Sequence, residues 1–289
     1  TVIALSPRLA ADRDLVARFV DVGRRFQTFF HPRLLRIHEV VSSGSFPYYV
    51  AEALPGPLAH TVRRSWFPAQ LAAGVGLATA EALDYLHHKG VSHQDLRPAR
   101  LSMGPGGEFR LLPPVLPGVS RERVARLLGK AGERHVLATP ARIAGASREA
   151  QQDMVGLGLL LWQLVTGAPA SRIASLMAMG AEDRVAAAQW LGPLPELFEA
   201  TLRGLLAAGT SEPGLDASTT RRMLERVVKD YTSPPKLLLA SLETMGQMYA
   251  SGMPPLVEFL ERLTPGGLNS ILRESEPGAT PVIESLTGA

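Results

Sequence analysis

Apolar residues follow three successive patterns over the first fifty positions of the chain. A short apolar run predicts a strand at Thr1–Leu5, and apolar residues at spacings of three and four predict a helix over Ala11–Phe29. That helical spacing is carried by Leu15, Phe19, Val22 and Phe26. Two more strands are predicted at Leu34–Val41 and Tyr48–Ala53, and the turn-rich Ser42–Ser45 between them favours a hairpin.

Helical spacing dominates the chain after Pro68. The predicted helices are Gln70–His88, Arg148–Thr166, Ser171–Met179, Ala181–Trp190, Glu196–Ala208 and Ser218–Tyr231. Strands are therefore expected only in the front part. After Ser233-Pro234-Pro235, two more helices are predicted at Leu237–Tyr249 and Pro255–Leu263, followed by an end rich in Gly, Pro, Ser and Thr that is typical of flexible segments.

Composition narrows the class of protein. A chain of 289 residues that is 46% hydrophobic and 20% charged is long and apolar enough to bury a large core. It has no cysteine, which excludes disulfides and cysteine-ligated metals and favours a reducing, cytoplasmic location. The net charge of +3 without a run of like charges argues against a nucleic acid partner, and no apolar stretch approaches the roughly 18 residues of a membrane span.

The chain begins at Thr1, inside the first predicted strand, with neither an initiator methionine nor a signal peptide pattern. We therefore expect it to be one domain cut from a larger protein, such as the cytosolic part of an anchored one.

Several segments resemble motifs of one enzyme family. His93–Arg100, with the sequence HQDLRPAR, resembles the protein kinase catalytic loop H-R-D-L-K-P-x-N, and it follows a helix end as in that family. Gln152–Gly167 resembles the S-D-V-Y-S-L-G…L-Y-E-L-L-T-G helix further along the same fold. Arg18-Phe19 with His31–Leu35 resembles the R-F…H-P-N-I-V stretch of bacterial Ser/Thr kinases, and Tyr49–Ala53 stands where the hinge should be.

The resemblance covers about Thr1–Tyr231 and implies an α+β, bilobal protein-kinase-like fold. We expect a truncated, partly β N-lobe at 1–54, a large helical C-lobe at 55–231 and a C-terminal extension at 232–289.

Several catalytic positions of the family carry unsuitable residues here. Phosphoryl transfer needs a lysine on the phosphates, a glutamate that holds the lysine, and an aspartate and an asparagine that bind Mg²⁺. Counting in the family's spacing, these positions fall at Ile3, Val22, Pro113 and Arg100. Pro113 follows a strand that the resemblance implies at Glu108–Leu112. A cation at Arg100 opposes binding of a divalent metal, and Pro113 supplies no carboxylate. No cofactor and no metal are therefore expected.

Three polar residues of the family's pattern are retained, and each has a structural interpretation beside a catalytic one. Asp95 stands at the catalytic base, but a carboxylate there can equally accept backbone N–H groups and pair with Arg97 or Arg100. His93 is expected to pack at the base of the loop, and Asp153 to accept hydrogen bonds from backbone N–H groups of the loop.

Two groups of residues are candidates for binding a partner. Arg121, Arg123 and Arg126, with Lys130 and Arg134 beyond them, form a basic patch that fits an acidic partner or is simply a solvated helix face. Leu238, Leu242 and Met245 belong to an apolar face of the tail, which docks either on its own lobe or on another protein. The doublets Phe29-Phe30 and Trp66-Phe67 are either exposed anchors or core residues.

The joint loss at Ile3, Val22, Arg100 and Pro113 predicts a pseudokinase that serves as a protein-binding scaffold or allosteric regulator in signalling. Its partner would be an active kinase or a larger signalling assembly. Two alternatives remain. One is a kinase-like enzyme with residual or altered nucleotide chemistry, and the other is a structural module of a larger protein that is itself phosphorylated.

Overall fold

The computed structural model describes residues 1–43, 46–53, 67–103, 108–119, 121–128, 146–189, 194–208 and 215–229. All of them fall within one compact unit, Thr1–Thr232, and Ser233–Ala289 form a second. The predicted tail helices, with Leu238, Leu242 and Met245, lie outside the described residues.

Three antiparallel strands form the sheet of the N-terminal part: β1 (Val2–Ala4), β2 (Ile37–Val41) and β3 (Tyr48–Ala51). β3 is central, with β1 on one side and β2 on the other, so that the predicted hairpin is confirmed. β2 begins later than the predicted Leu34, because Leu34 and Leu35 pair instead with Leu111 in the helical part. The Leu35 N–H donates to the Leu111 carbonyl at 2.9 Å.

Two helices follow β1, namely α1 (Pro7–Ala10) and α2 (Arg13–Gln27). The predicted single helix from Ala11 is wrong at its start, because Asp12 is extended and caps α2. The Asp12 carboxylate accepts hydrogen bonds from the N–H groups of Asp14 and Leu15 at 3.0 and 3.3 Å, which satisfies donors that the first helical turn leaves free.

α2 lies close to β3 at Gly23. The Tyr49 ring on β3 stacks on the Phe19 ring of α2, with centroids 4.1 Å apart, and its hydroxyl donates to the Phe19 carbonyl. A Cβ at Gly23 would lie 2.2 Å from the Tyr49 ring. The absence of a side chain at Gly23 is therefore what allows the ring to lie against the helix.

The remaining helices build the C-terminal part of the unit. They are α3 (Ala69–His88), α4 (Arg121–Leu128), α5 (Ala146–Thr166), α6 (Ala170–Met177), α7 (Ala181–Ala187), α8 (Glu196–Leu206) and α9 (Ala217–Lys229). α3 packs against α5 and α9, and α5 packs against α8. The predicted helices are confirmed with small shifts of their ends.

The expectation that strands occur only in the front part is wrong. β4 (Leu101–Met103) and β5 (Phe109–Leu111) form an antiparallel pair, in which Leu101 lies opposite Leu111. β5 packs against α3. Strands of three residues are too short to show an apolar period, which explains why the pattern missed them. The strand that the family resemblance implied at Glu108–Leu112 agrees with β5. The pair places the loop before β4 beside the segment after β5.

Candidate functional site

The loop His93–Arg100 connects the end of α3 to β4 and carries most of the retained family motif. Gly90 lets the chain turn after α3, with φ of 68°, and the N–H of Val91 then donates to the Leu86 carbonyl at 2.9 Å. At the other end, Pro98–Arg100 form one 3-10 turn that leads into β4. Both ends of the loop are thus held by local backbone structure.

A buried carboxylate on α5 holds the start of this loop. Asp153, whose side chain has no exposed surface, accepts hydrogen bonds from the N–H groups of His93 and Gln94 at 2.7 and 2.6 Å. The His87 Nε2 lies 2.9 Å from the carboxylate oxygen that His93 contacts. Gln94 has a φ of 58°, an unfavourable value for a residue with a side chain, and the bond to Asp153 helps to stabilise it.

His93 connects the loop to the end of β5. Its ring is buried, and its Nε2 lies 2.8 Å from the Leu112 carbonyl, to which it can only donate. The Asp95 N–H donates to Nδ1 at 3.2 Å, so the ring is neutral with its proton on Nε2. Burial lowers the pKa of His93, in agreement with a neutral ring. The geometry gives His93 a packing and hydrogen-bonding role.

Asp95 lies between two arginines of its own loop. Its Oδ1 is 2.7 Å from the Nε of Arg97, and its Oδ2 is 3.1 Å from the Nε of Arg100. The Nη2 of Arg97 also donates to Oδ2, at 3.3 Å. All three side chains are less than a fifth exposed. Each carboxylate oxygen therefore has a guanidinium group next to it.

Arg100 is the more enclosed of the two arginines. Burial lowers the pKa of its guanidinium, while the charge of Asp95 and the nearby Tyr49 hydroxyl act in the opposite direction. An arginine stays protonated in proteins even so. The Arg100 side chain thus brings a fixed positive charge to the region between the loop and the central strand of the sheet.

The three other positions that the resemblance assigns to catalytic groups lie on or next to different elements. Ile3 is half-buried on β1, opposite Tyr49, and Val22 is buried on α2. Pro113 is buried directly after Leu112, whose N–H donates to the Arg100 carbonyl at 2.8 Å. Since these three side chains are apolar, they offer neither a cation for a phosphate nor a ligand for a metal.

Part of the predicted basic patch forms ion pairs and hydrogen bonds within the chain. Arg123 on α4 binds Asp12 and Asp14 at the start of α2, with distances of 2.7 and 2.8 Å. Hydrogen bonding to Arg123 lowers the pKa of Asp12. The Nη1 of Arg8 donates to the Leu128 carbonyl at 2.7 Å, so both ends of α4 are attached to α1 and α2.

The remaining basic residues of the patch are Arg121, Arg126, Lys130 and Arg134. Arg126 is exposed on α4, whereas the side chain of Arg121 and all of Lys130 and Arg134 lie outside the described residues.

The two aromatic doublets have different outcomes. Trp66 lies outside the described residues, while Phe67 is buried in the core. Of the candidate anchors, Phe30 is 63% exposed.

Two further features concern metals and membranes. Within the described ranges, no three side chains of the His, Asp or Glu type are placed to hold a metal ion. In that same part of the chain, no helix combines the length and the apolar character needed to cross a bilayer.

Sequence reasoning missed two features of this site. The left-handed backbone of Gln94 has no signal in the sequence, because residues of this type seldom adopt it. The acidic partners of Arg123 were also missed, since Asp12 and Asp14 are more than a hundred positions away. The acidic start of the predicted helix α2 was the available signal.

Comparison with known structures defines the class of fold. The kinase domain of Mycobacterium tuberculosis PknI matches with a TM-score of 0.51 and 20% identity, over 78% of this chain and 83% of that chain. The molecule therefore has an α+β, protein-kinase-like fold, with a large helical part and few strands, as the resemblance implied.

Sequence comparison identifies the relatives. The chain is 32% identical over 173 residues to the Ser/Thr protein kinase PkaA of Streptomyces coelicolor, and 31% identical over 174 residues to PknJ of Mycobacterium tuberculosis. These matches cover 57% and 56% of this chain but only 31% and 28% of the relatives' length. No family model matches. The homologues of the chain are thus bacterial Ser/Thr protein kinases.

Proposed function

We propose that the chain is a pseudokinase: a kinase-like domain that does not transfer phosphate and that acts in signalling by binding protein partners. The observation that carries this proposal is the ion-paired state of Asp95, the residue at the family's catalytic base position. The relatives are named as kinases, so the proposal depends on residues particular to this chain.

A general base must lie within about 2.6–3.2 Å of the hydroxyl whose proton it removes. Arg97 and Arg100 already lie at that distance from the two oxygens of Asp95. Moving the carboxylate toward a substrate would leave two poorly exposed guanidinium groups without their counter-charge, which is unfavourable. This supports a structural role for Asp95, in which it balances the two arginines.

Arg100 also argues against metal-assisted chemistry. In the family, its position belongs to an asparagine that binds Mg²⁺, and the partner position is Pro113 here. A guanidinium repels a divalent cation, and a proline side chain has no ligand atom. The metal that would neutralise phosphate charge is therefore expected to lack both of its protein ligands.

The proposal also rests on the N-terminal part, where the family has a lysine that binds phosphate and a glutamate that pairs with it. The resemblance assigns the phosphate-binding lysine and its glutamate partner to Ile3 and Val22, both apolar. Removing one member of a buried ion pair is costly by about 3–5 kcal/mol, whereas replacing both by apolar residues can be neutral. Joint replacement is compatible with a stable fold that no longer holds a nucleotide's phosphates.

A second candidate function is a kinase-like enzyme with residual or altered nucleotide chemistry. It is favoured by the intact support of the catalytic loop, since Asp153 still fixes the N–H groups of His93 and Gln94. A loop held in this way would present Asp95 to a substrate if the two arginines were displaced.

Thermal unfolding with ATP or ADP, with and without Mg²⁺ or Mn²⁺, separates the two candidates. A ligand at 100 times its Kd stabilises the folded state by about 2.7 kcal/mol. We expect no shift in Tm for this chain, and no transfer of labelled phosphate to the chain or to a protein substrate. The PknI kinase domain, measured alongside, serves as the positive control.

The variant Asp95→Asn tests whether any phosphate transfer depends on the Asp95 carboxylate. A metal-dependent Tm shift in the wild type, with phosphate transfer that disappears in Asp95→Asn, would contradict the pseudokinase proposal and establish the second candidate. A shift in both proteins without transfer would mean that nucleotide binds but does not react.

A further inference from the structure

A group of aromatic and cationic side chains lies on the surface where the loop after α2 meets the C-terminal end of α3. We call it the Phe30 patch, and its members are Phe30, His31, Arg36, Tyr85 and Lys89. The Phe30 N–H lies 3.3 Å from the Tyr85 hydroxyl oxygen, and the His31 ring stacks on the Tyr85 ring with centroids 5.0 Å apart. Contacts of the Phe30 backbone and of the His31 ring with Tyr85 therefore bring these residues together.

The two phenylalanines of the Phe29-Phe30 doublet have different environments. Phe29 packs edge-on against Phe26 and Tyr85, with centroid distances of 5.4 and 6.0 Å. Phe30, by contrast, is 63% exposed. Phe29 is half-buried in these ring contacts, whereas Phe30 contributes its ring to the surface, where an aromatic anchor can bind a partner.

Two cations are held over the rings of the patch. The guanidinium carbon of Arg36 lies 3.7 Å from the centroid of Phe30, and the Nζ of Lys89 lies 5.9 Å from the centroid of Tyr85. A guanidinium stacked on a ring is preorganised and can still bind a carboxylate through two N–H groups. Burial lowers the pKa of His31, so this residue adds no charge near neutral pH.

The acidic residues near the patch are paired with other cations. Glu81 binds Arg33 at 2.6 Å, Glu52 binds Arg110, and Asp84 lies within 3.3 Å of both His88 and Arg221. Among the described residues, no carboxylate lies within ion-pair distance of Arg36 or Lys89. The Glu52 carboxylate accepts the backbone N–H of Arg36 at 2.8 Å. Within the part of the chain that the structure describes, the patch thus presents two cationic side chains without an ion-pair partner beside an exposed aromatic ring.

We propose that the Phe30 patch binds an acidic linear segment of a partner protein, with carboxylates on Arg36 and Lys89 and an apolar side chain on Phe30. This inference rests on the proposed role of the chain as a protein-binding pseudokinase. Charge complementarity selects an acidic partner, and the exposed ring selects a peptide with apolar residues. A nucleic acid is disfavoured because only two cations are available to release counterions.

The test uses fluorescence anisotropy of a labelled short peptide of alternating Glu and Leu, with a Gln–Leu peptide for comparison. We expect saturable binding of the Glu–Leu peptide that weakens as salt is raised, and no binding of the Gln–Leu peptide. Phe30→Ala should weaken binding about tenfold or more, and Arg36→Ala and Lys89→Ala each about fivefold. Arg36→Lys keeps the charge but loses the stacked plane, so it should also weaken binding.

Two matched controls test the location. Phe46→Ala removes a phenylalanine that is 45% exposed elsewhere on the surface, and Arg24→Ala removes an exposed arginine of α2. Both should bind the peptide within about twofold of the wild type. Because all five substituted side chains lie at the surface, circular dichroism should show each variant folded.

Equal loss of binding in the controls and the patch variants would overturn the proposal, as would tighter binding of a single-stranded DNA of equal charge or no binding of the Glu–Leu peptide. The Tm measurements with nucleotide are independent of these results. A patch that fails while nucleotide gives no shift refutes only the Phe30 patch, whereas metal-dependent nucleotide binding with phosphate transfer refutes the pseudokinase proposal itself.

Discussion

Asp153 shows how much one side chain contributes to the site. Its carboxylate is fully buried on α5 and faces three nitrogen atoms, those of the His93 and Gln94 backbone and of the His87 ring. A buried carboxylate is tolerated only where such donors replace water. The conformation of the loop therefore depends on this residue, although Asp153 itself is not placed to react with a substrate.

We predict that Asp153→Asn destabilises the chain by about 2–4 kcal/mol. Asparagine has one acceptor oxygen and an NH₂ group, so in either orientation the NH₂ group faces a backbone N–H of the loop. The measurement is the free energy of unfolding from urea titration followed by circular dichroism.

The matched control is Asp21→Asn on α2, where the side chain is 73% exposed and lies 3.9 Å from Arg25. An exposed pair of this kind contributes little, so we expect a change below about 0.5 kcal/mol. If Asp153→Asn were as mild as Asp21→Asn, the loop would be held by interactions other than this carboxylate.

α2 and β3 meet through a close contact at Tyr49. Tyr49 fits between Phe19 and Gly23, with its ring stacked 4.1 Å from that of Phe19 and with no exposed surface. Burial raises the pKa of Tyr49 far above its usual value, so the hydroxyl remains a donor to the Phe19 carbonyl. The ring has no room to move if a side chain is added at Gly23.

We predict that Gly23→Ala destabilises the chain, by about 1–3 kcal/mol, even though alanine is the better helix former. The added Cβ would lie 2.2 Å from a Tyr49 ring carbon that is packed on all sides. Gly74→Ala in α3 is the matched control, since a Cβ there meets nothing within 4 Å.

At position 74, where a Cβ has free space, Gly74→Ala should stabilise the chain by about 0.5–1 kcal/mol. Thermal and urea unfolding of both variants would check the pair. Stabilisation by both substitutions would show that α2 can move away from the sheet at no cost.

The elements differ in how far the sequence predicts them. α3 and α5 are predicted within two residues, because twenty or more positions with apolar spacing leave little ambiguity. β4 was missed, because its position depends on pairing with β5 rather than on a local pattern, whereas the strand that the resemblance implied at Glu108–Leu112 agrees with β5. At the site, the sequence predicts a cation beside Asp95, but that Arg97 and Arg100 both reach it depends on the turn at Pro98–Arg100.

At the scale of the whole described unit, the sheet and the helices are joined by backbone and side-chain bonds together. The Leu111 N–H donates to the Arg33 carbonyl at 2.7 Å, next to the bond between Leu35 and the Leu111 carbonyl. Phe26 on α2 packs edge-on against the His93 ring, with centroids 6.3 Å apart. Contacts of this kind favour unfolding of the two parts in one cooperative step.

The ion pair of Glu52 with Arg110 tests this coupling, because Glu52 follows β3 and Arg110 lies on β5. Both side chains are about a quarter exposed, and the Glu52 carboxylate also accepts the Arg36 N–H at 2.8 Å. We predict that Glu52→Gln and Arg110→Gln each destabilise the chain by about 1–2 kcal/mol, and that the double variant loses about 1 kcal/mol less than the sum.

The same coupling can be followed with two probes. All three tryptophans follow residue 53, so tryptophan fluorescence reports the part of the chain after the sheet, whereas circular dichroism reports the whole chain. Both probes should show one coincident unfolding transition. Additive losses, or a fluorescence transition separate from that of circular dichroism, would mean that the sheet and the helices unfold independently.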